Sequence, residues 1–89
     1  MANHKSAAKQ ARRNEKRRLR NRWWRSRLRT ETRKLREAVE RGDADTAQSL
    51  LPPLLGLYDR TAKAGVIHVN TADRSKSRLQ RSVNRLTTA

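Results

Sequence analysis

Eighty-nine residues, 34% of them hydrophobic and none of them Phe, leave room for one small core and exclude a second. Twenty-three Lys and Arg against eight Asp and Glu give a formal net charge of +15, which repels itself in a compact state and attracts polyanions. With no cysteine, a disulfide framework and a thiolate metal site are both excluded.

No apolar run approaches the ~20 residues needed to span a bilayer, so no membrane role is expected. The first ten residues, Met1 to Gln10, hold no hydrophobic stretch and do not read as a secretory signal. Their basic, acid-poor character fits a transit peptide in isolation, but the same pattern continues without a break into the next segment. Residues 1–41 carry 16 basic and 4 acidic side chains, residues 42–64 carry 2 and 3, and residues 65–89 carry 5 and 1. The order is basic arm, near-neutral middle, basic tail. So sparse a core predicts a free chain that is marginally folded and gains order from its partner.

Nothing alternates with period two, and the expected class is all-α: a single domain over 1–89, a three-helix bundle with a long, protruding N-terminal helix. Residues 1–7 read as a basic tail. Between Ser6 and Arg41 there is no Gly or Pro, and good helix formers dominate, which predicts helix one over 8–41. Gly42 is placed to end it as a C′ residue, and Asp43 or Asp45 to cap the second helix.

Helix two is expected over 43–64, with Ala47, Leu50, Leu51, Leu54, Leu55, Tyr58 and Ala62 as its buried ladder. Pro52-Pro53 interrupts that ladder, and the predicted consequence is a kink or a split into two short pieces. Gly65 is a second stop. Val66-Ile67-His68-Val69 reads as a short extended connection, after which Asn70 or Thr71 caps helix three over 71–87.

At about 100° per residue, Ala72, Leu79, Val83 and Leu86 share one side of helix three. Arg74, Arg78, Arg81 and Arg85 stack on nearly the opposite side, so one face packs and the other meets a polyanion. In the second half of helix one, Trp24, Leu28, Leu35 and Val39 line a packing stripe. Its first half differs: Arg12, Arg13, Lys16, Arg17, Arg18 and Arg20 point to nearly every side. A helix charged all round cannot be docked in a core. It projects.

Solvated helix faces mix signs, yet the run from Arg12 to Arg22 holds one Glu, which points to nucleic acid. Arginine's forked donors suit phosphate oxygens, and displaced counterions make such binding steeply salt-dependent. Arg25 extends the same segment. Trp23 and Trp24 diverge by about 100°, so only one of them can face the core. Trp24 shares the stripe of Leu28, while Trp23 either stacks on a base or ribose or packs beneath arginine stems. His68, Asn70 and Arg74 surround a helix start whose free N–H groups suit a phosphate; equally, Asn70 only caps and His68 is solvated.

An enzyme is excluded by inventory, because there is no glycine-rich phosphate loop, no metal-ligand spacing and no nucleophile–base pair. No cofactor or small-molecule substrate is expected. Two other classes carry signatures of their own. A DNA-compacting protein would show a dimer seam or a groove wedge, and a membrane-active peptide would show a broad apolar face beside the basic one. Neither feature is visible.

The residues Met1-Ala2-Asn3-His4-Lys5-Ser6-Ala7 and Asn14-Glu15-Lys16-Arg17-Arg18-Leu19-Arg20-Asn21 resemble the opening of the bacterial small-subunit ribosomal protein S-twenty family. The resemblance continues through Ser26-Arg27-Leu28-Arg29-Thr30 and Gly42-Asp43. It resumes at Gly65-Val66-Ile67-His68, Asn70-Thr71-Ala72 and Lys76-Ser77-Arg78-Leu79, spanning nearly the whole chain in family order. It implies a cytoplasmic ribosomal component, monomeric within the particle, that binds small-subunit ribosomal RNA early in assembly. The contacts it implies are with the RNA's 5′ domain and the base of its penultimate stem. Family binding positions fall on Lys5, Lys9, Arg13, Lys16, Arg17, Arg18, Arg20, Asn21 and Arg29, and on His68, Asn70, Thr71, Arg74, Lys76, Ser77 and Arg78. The charge reading adds Arg12, Arg22, Arg25, Arg81 and Arg85, and the stacking reading adds Trp23. The chain departs from the family pattern at Pro52-Pro53, at Trp23-Trp24 and at Val69, where a lysine is common.

Overall fold

The computed structural model describes residues 2–88, with side chains from Ser6 onward. Three α-helices follow in order: α1 Ala2–Glu40, α2 Ala44–Lys63 and α3 Val69–Thr88, with no strand among the described residues. Helix α1 begins at Ala2, so the segment expected as a tail over 1–7 is helical from its second residue. The reason is local: Ala2, Lys5, Ala7, Ala8, Lys9 and Gln10 are favourable helix formers, and extending an existing helix fixes one residue per added bond.

Two glycines set the stops. Gly42 has φ of 72° and Gly65 φ of 79°, the left-handed region that costs other residues roughly 1–2 kcal/mol. Past α1, Asp43 N donates to Ala38 O at 2.9 Å and Gly42 N to Val39 O at 3.0 Å. Past α2 the same pair recurs, with Val66 N to Thr61 O at 3.2 Å and Gly65 N to Ala62 O at 2.9 Å. Both helices therefore close in Schellman motifs that satisfy carbonyls the helix leaves free.

Asp43 caps α2. One carboxylate oxygen accepts from Thr46 N at 3.2 Å, and the other accepts the Thr46 hydroxyl at 2.6 Å. Those hydrogen bonds hold the Asp43 carboxyl below its ordinary pKa.

Of the two expected consequences, a kink or a split, the split does not occur: α2 runs unbroken through Pro52 and Pro53. Their rings remove the donors that would reach the carbonyls of Gln48 and Ser49. All four residues are exposed, so water can meet the two freed carbonyls. Meanwhile Leu54, Leu57 and Tyr58 bury the next turn, and that burial holds the helix together.

The third start also differs from expectation. Residues 64–65 form a turn and 66–67 a bend where an extended connection is expected, and α3 begins at Val69, two residues before the predicted 71. Its cap is His68, not Asn70 or Thr71: Asn70 N donates to His68 Nδ1 at 3.0 Å, and Ala72 N to His68 O at 3.1 Å. An imidazole that accepts at Nδ1 must be unprotonated there, which leaves its Nε2–H pointing away from the cap.

The core is formed by Leu28, Leu35 and Ala38 of α1, Ala47, Leu54, Leu57 and Tyr58 of α2, and Ala72, Leu79 and Val83 of α3. Each fully buried Leu or Val contributes about 1.5–3 kcal/mol. Trp24, Val39, Leu50, Leu51, Ala62, Ile67 and Leu86 are half-buried around it. Helix α2 lies between the other two, packing along both, while α1 and α3 touch only briefly. Buried Thr61 is satisfied within its own helix, its hydroxyl donating to Leu57 O at 2.7 Å.

The result is long and thin, 67 × 21 × 15 Å, with a radius of gyration of 17.8 Å. A compact chain of this length would have roughly 12 Å. The excess is α1, whose 39 residues extend about 58 Å. No helix is long and apolar enough to cross a membrane among the described residues.

Candidate nucleic-acid interface

From Ser6 to Arg20 every side chain is exposed, and burial begins only at Asn21 and Trp24. Roughly half of α1 therefore projects beyond the bundle, as its all-round charge predicts. Lys9, Arg12, Arg13, Lys16, Arg17 and Arg20 have no carboxylate within 4 Å among the described residues, and only Arg18 pairs, with Glu15 at 2.9 Å. That exposed pair is worth little against solvent. The side chain of Lys5 lies outside the described residues.

Where the helix meets the bundle, burial of Leu28 and Leu35 fixes its rotation and sends Arg18, Arg22, Arg25 and Arg29 down one flank. With Asn21 and Ser26 they surround an open hollow of about 540 Å3. Arg25 Nη2 donates to Val66 O at 3.5 Å, a long contact that positions more than it stabilises. It brings this flank beside the turn that leads to His68 and α3.

On α3, Arg74, Arg78, Arg81 and Arg85 are exposed and free of carboxylates among the described residues, while Ala72, Leu79 and Val83 are buried on the other side. His68, Asn70 and Thr71 are exposed at its start and Ser77 is half-buried. Lys76 stands apart from this set. Its ammonium is 2.7 Å from Asp59 of α2 and 3.7 Å from Asp73. The hydrogen bond to Asp59 is the main cause that raises its pKa above the ordinary lysine value, so contact with another anion would have to open this pair.

Trp24 is half-buried against the core, and its ring supports Trp23 edge-on, with centroids 4.8 Å apart and planes at 80°. Trp23 remains 53% exposed, and the Arg27 guanidinium lies 5.6 Å from its ring centre. Leu19, one turn earlier, is 55% exposed. The indole thus sits beside an arginine and open to a partner at once.

Sequence reasoning missed Arg33 and Arg36, which continue the flank of Arg29 along a second hollow. The signal was present: Arg18, Arg25, Arg29 and Arg36 are spaced by seven, four and seven, one side of a helix.

The family model for "Ribosomal protein S20" matches residues 2–84, nearly the full chain. The chain belongs to the ribosomal protein S20 family. Among its relatives, the small ribosomal subunit protein bS20 of Syntrophobacter fumaroxidans is 48% identical over 86 residues, covering 97% of this chain and 100% of that protein. The bS20 of Thermomicrobium roseum is 47% identical over 89 residues, covering 100% of this chain and 90% of the relative. The bS20 of Desulforapulum autotrophicum is 52% identical over 83 residues, covering 93% and 99%. The S20 family is one of structural ribosomal proteins, and the chain is not an enzyme.

Proposed function

We propose that this chain is a structural constituent of the bacterial small ribosomal subunit that binds small-subunit ribosomal RNA directly and early in assembly. The observation that carries this reading is the distribution of uncommitted cations. Those of the projecting half of α1, of its Arg18-to-Arg29 flank and of the α3 stripe have no carboxylate within 4 Å among the described residues except at Arg18, while Lys76 is paired with Asp59. Phosphates are the partner such an array lacks.

In this reading Lys9, Arg12, Arg13, Lys16, Arg17, Arg20 and Arg22 line a helix inserted between RNA strands, with Lys5 at its end. Arg74, Arg78, Arg81 and Arg85 grip a second strand. The start of α3 offers Nε2–H of His68 with Asn70, Thr71 and Ser77, and Trp23 covers a base or ribose. The RNA's 5′ domain and the base of its penultimate stem, at the ribosome in the cytoplasm, are the proposed place of these contacts.

The test is binding of the purified chain to small-subunit ribosomal RNA across a salt series, with duplex DNA as competitor. Six to ten phosphate contacts would cost roughly 10³–10⁵ in affinity between about 50 and 200 mM salt. Saturable binding that resists DNA supports the reading. Binding that DNA removes equally well would make the chain a generic polycation, with nucleoid binding in first place.

A further inference from the structure

We propose that the trough between α1 and Tyr58 of α2 is a second phosphodiester site, taking a single-stranded stretch of RNA that enters past Arg29. The inference deepens the RNA-binding reading and rests on it.

The trough holds about 510 Å3, with Leu28 and Tyr58 as its floor and Arg29, Arg33 and Arg36 along its rim. Arg29 also lines the hollow formed by Arg18, Arg22 and Arg25, so the two spaces join into one flank. Unlike the projecting half of α1, this stretch is held against the bundle by buried Leu28 and Leu35. Its arginines are therefore presented on a rigid support, and less order must be gained on binding.

The centre of the trough is polar in a particular way. Thr32 Oγ1 and Tyr58 Oη are 2.9 Å apart, and either one can be the donor. Two hydroxyls bring two protons, and their mutual bond uses one. The other O–H is left to donate to whatever lies in the trough, between three guanidinium groups. A phosphate oxygen satisfies it, and a ribose laid over Leu28 and the Tyr58 ring covers the floor.

Glu37 and Glu40 close the far end, which directs an anionic strand to the Arg29–Arg36 half. Arg33 sits 3.8 Å from Glu37, an exposed and loose pair that phosphate readily displaces. Arg29 and Arg36 have no carboxylate within 4 Å among the described residues.

The experiment measures binding of the full chain to transcribed small-subunit ribosomal RNA over a salt series, with helix content checked by circular dichroism. For Arg33→Ala/Arg36→Ala, the slope of log Kd against log salt should fall by about 0.7 for each single-strand phosphate released. Lys34→Ala/Arg41→Ala removes one charge from the same helix and one just past its end, both outside the trough, and should change that slope far less. Tyr58→Phe should weaken binding by about three- to tenfold at fixed salt, the scale of one hydrogen bond.

Equal losses from the two double variants would reduce the effect to bulk charge and overturn the proposal. Unchanged RNA binding with poorer incorporation into the subunit would assign the trough to an acidic protein neighbour, also overturning it. Arg18→Ala/Arg22→Ala separates the readings. If that pair weakens binding while the trough variants do not, only the trough fails; if neither does, RNA binding by α1 fails with it.

Discussion

Replacing Pro52 by Ala should stabilise the protein. Pro52 lies within α2, is exposed, and lines neither the trough nor the hollow on the α1 flank. The substitution restores a donor to the exposed Gln48 carbonyl and relieves the ring's clash with the preceding turn. Because water already serves that carbonyl, the net gain has a floor of about 0.5–1.5 kcal/mol for one hydrogen bond. The host–guest difference between Pro and Ala sets a ceiling of about 3 kcal/mol. A gain of roughly 1–2 kcal/mol corresponds to a Tm rise of about 4–15 °C in a domain of this size. Urea and thermal unfolding followed by circular dichroism read it directly, and an unchanged m-value would locate the effect in stability. Pro53→Ala should gain less, because that ring lines a small hollow with Leu50, Leu54 and Leu57 and the smaller side chain leaves it emptier. A destabilised Pro52→Ala would refute the reasoning, because the ring would then be supplying a contact or a bend that α2 requires.

Gly42→Ala should destabilise by about 1–2 kcal/mol, the penalty of a left-handed backbone at φ of 72°, read by urea unfolding. The folded Asp43 carboxyl has a lowered pKa, so its contribution is present above the unfolded value near 3.8 and disappears as pH falls through the lower folded value. Asp43→Asn keeps an acceptor for Thr46 and should flatten that acid limb of the stability–pH curve. Lys76 shifts upward, so its contribution is present below the unfolded value near 10.5 and fades as pH rises through the higher folded one. Asp59→Asn should remove most of that alkaline limb. Lys76→Ala should leave RNA affinity nearly unchanged, whereas Arg78→Ala should lower it; a comparable loss from both would show that the Asp59 pair opens on binding.

How much of the fold is legible in the sequence depends on how local each signal is. Gly42 and Gly65 mark helix ends wherever they are read, because left-handed backbone is a property of one residue. The two faces of α3 are legible because its apolar and basic residues keep separate stripes over the whole helix. The continuity of α2 is hidden: local propensity at Pro52-Pro53 argues for a break, and the burial of Leu54, Leu57 and Tyr58 that outweighs it is tertiary. His68 escapes notice as a cap because an imidazole is an unusual capping acceptor, and Asn70 stands close by as the ordinary choice. Lys76 resembles its arginine neighbours until Asp59, seventeen residues earlier, is placed beside it. The full basic flank of α1 becomes visible only when Leu28 and Leu35 fix which way the helix is turned.

The asymmetry of this thin molecule has a kinetic consequence. Along its 67 Å, the projecting N-terminal half of α1 carries one Glu among its cations, while Glu37, Glu40, Asp43 and Asp45 gather at the other end of α1 and the start of α2. The peptide dipoles of α1 add in the same sense, positive at the N-terminus. In the field of a polyanion such a rod experiences a torque as well as an attraction. It turns arm-first before contact, so a larger share of collisions arrives in a productive orientation, and added salt slows capture by removing the alignment along with the pull.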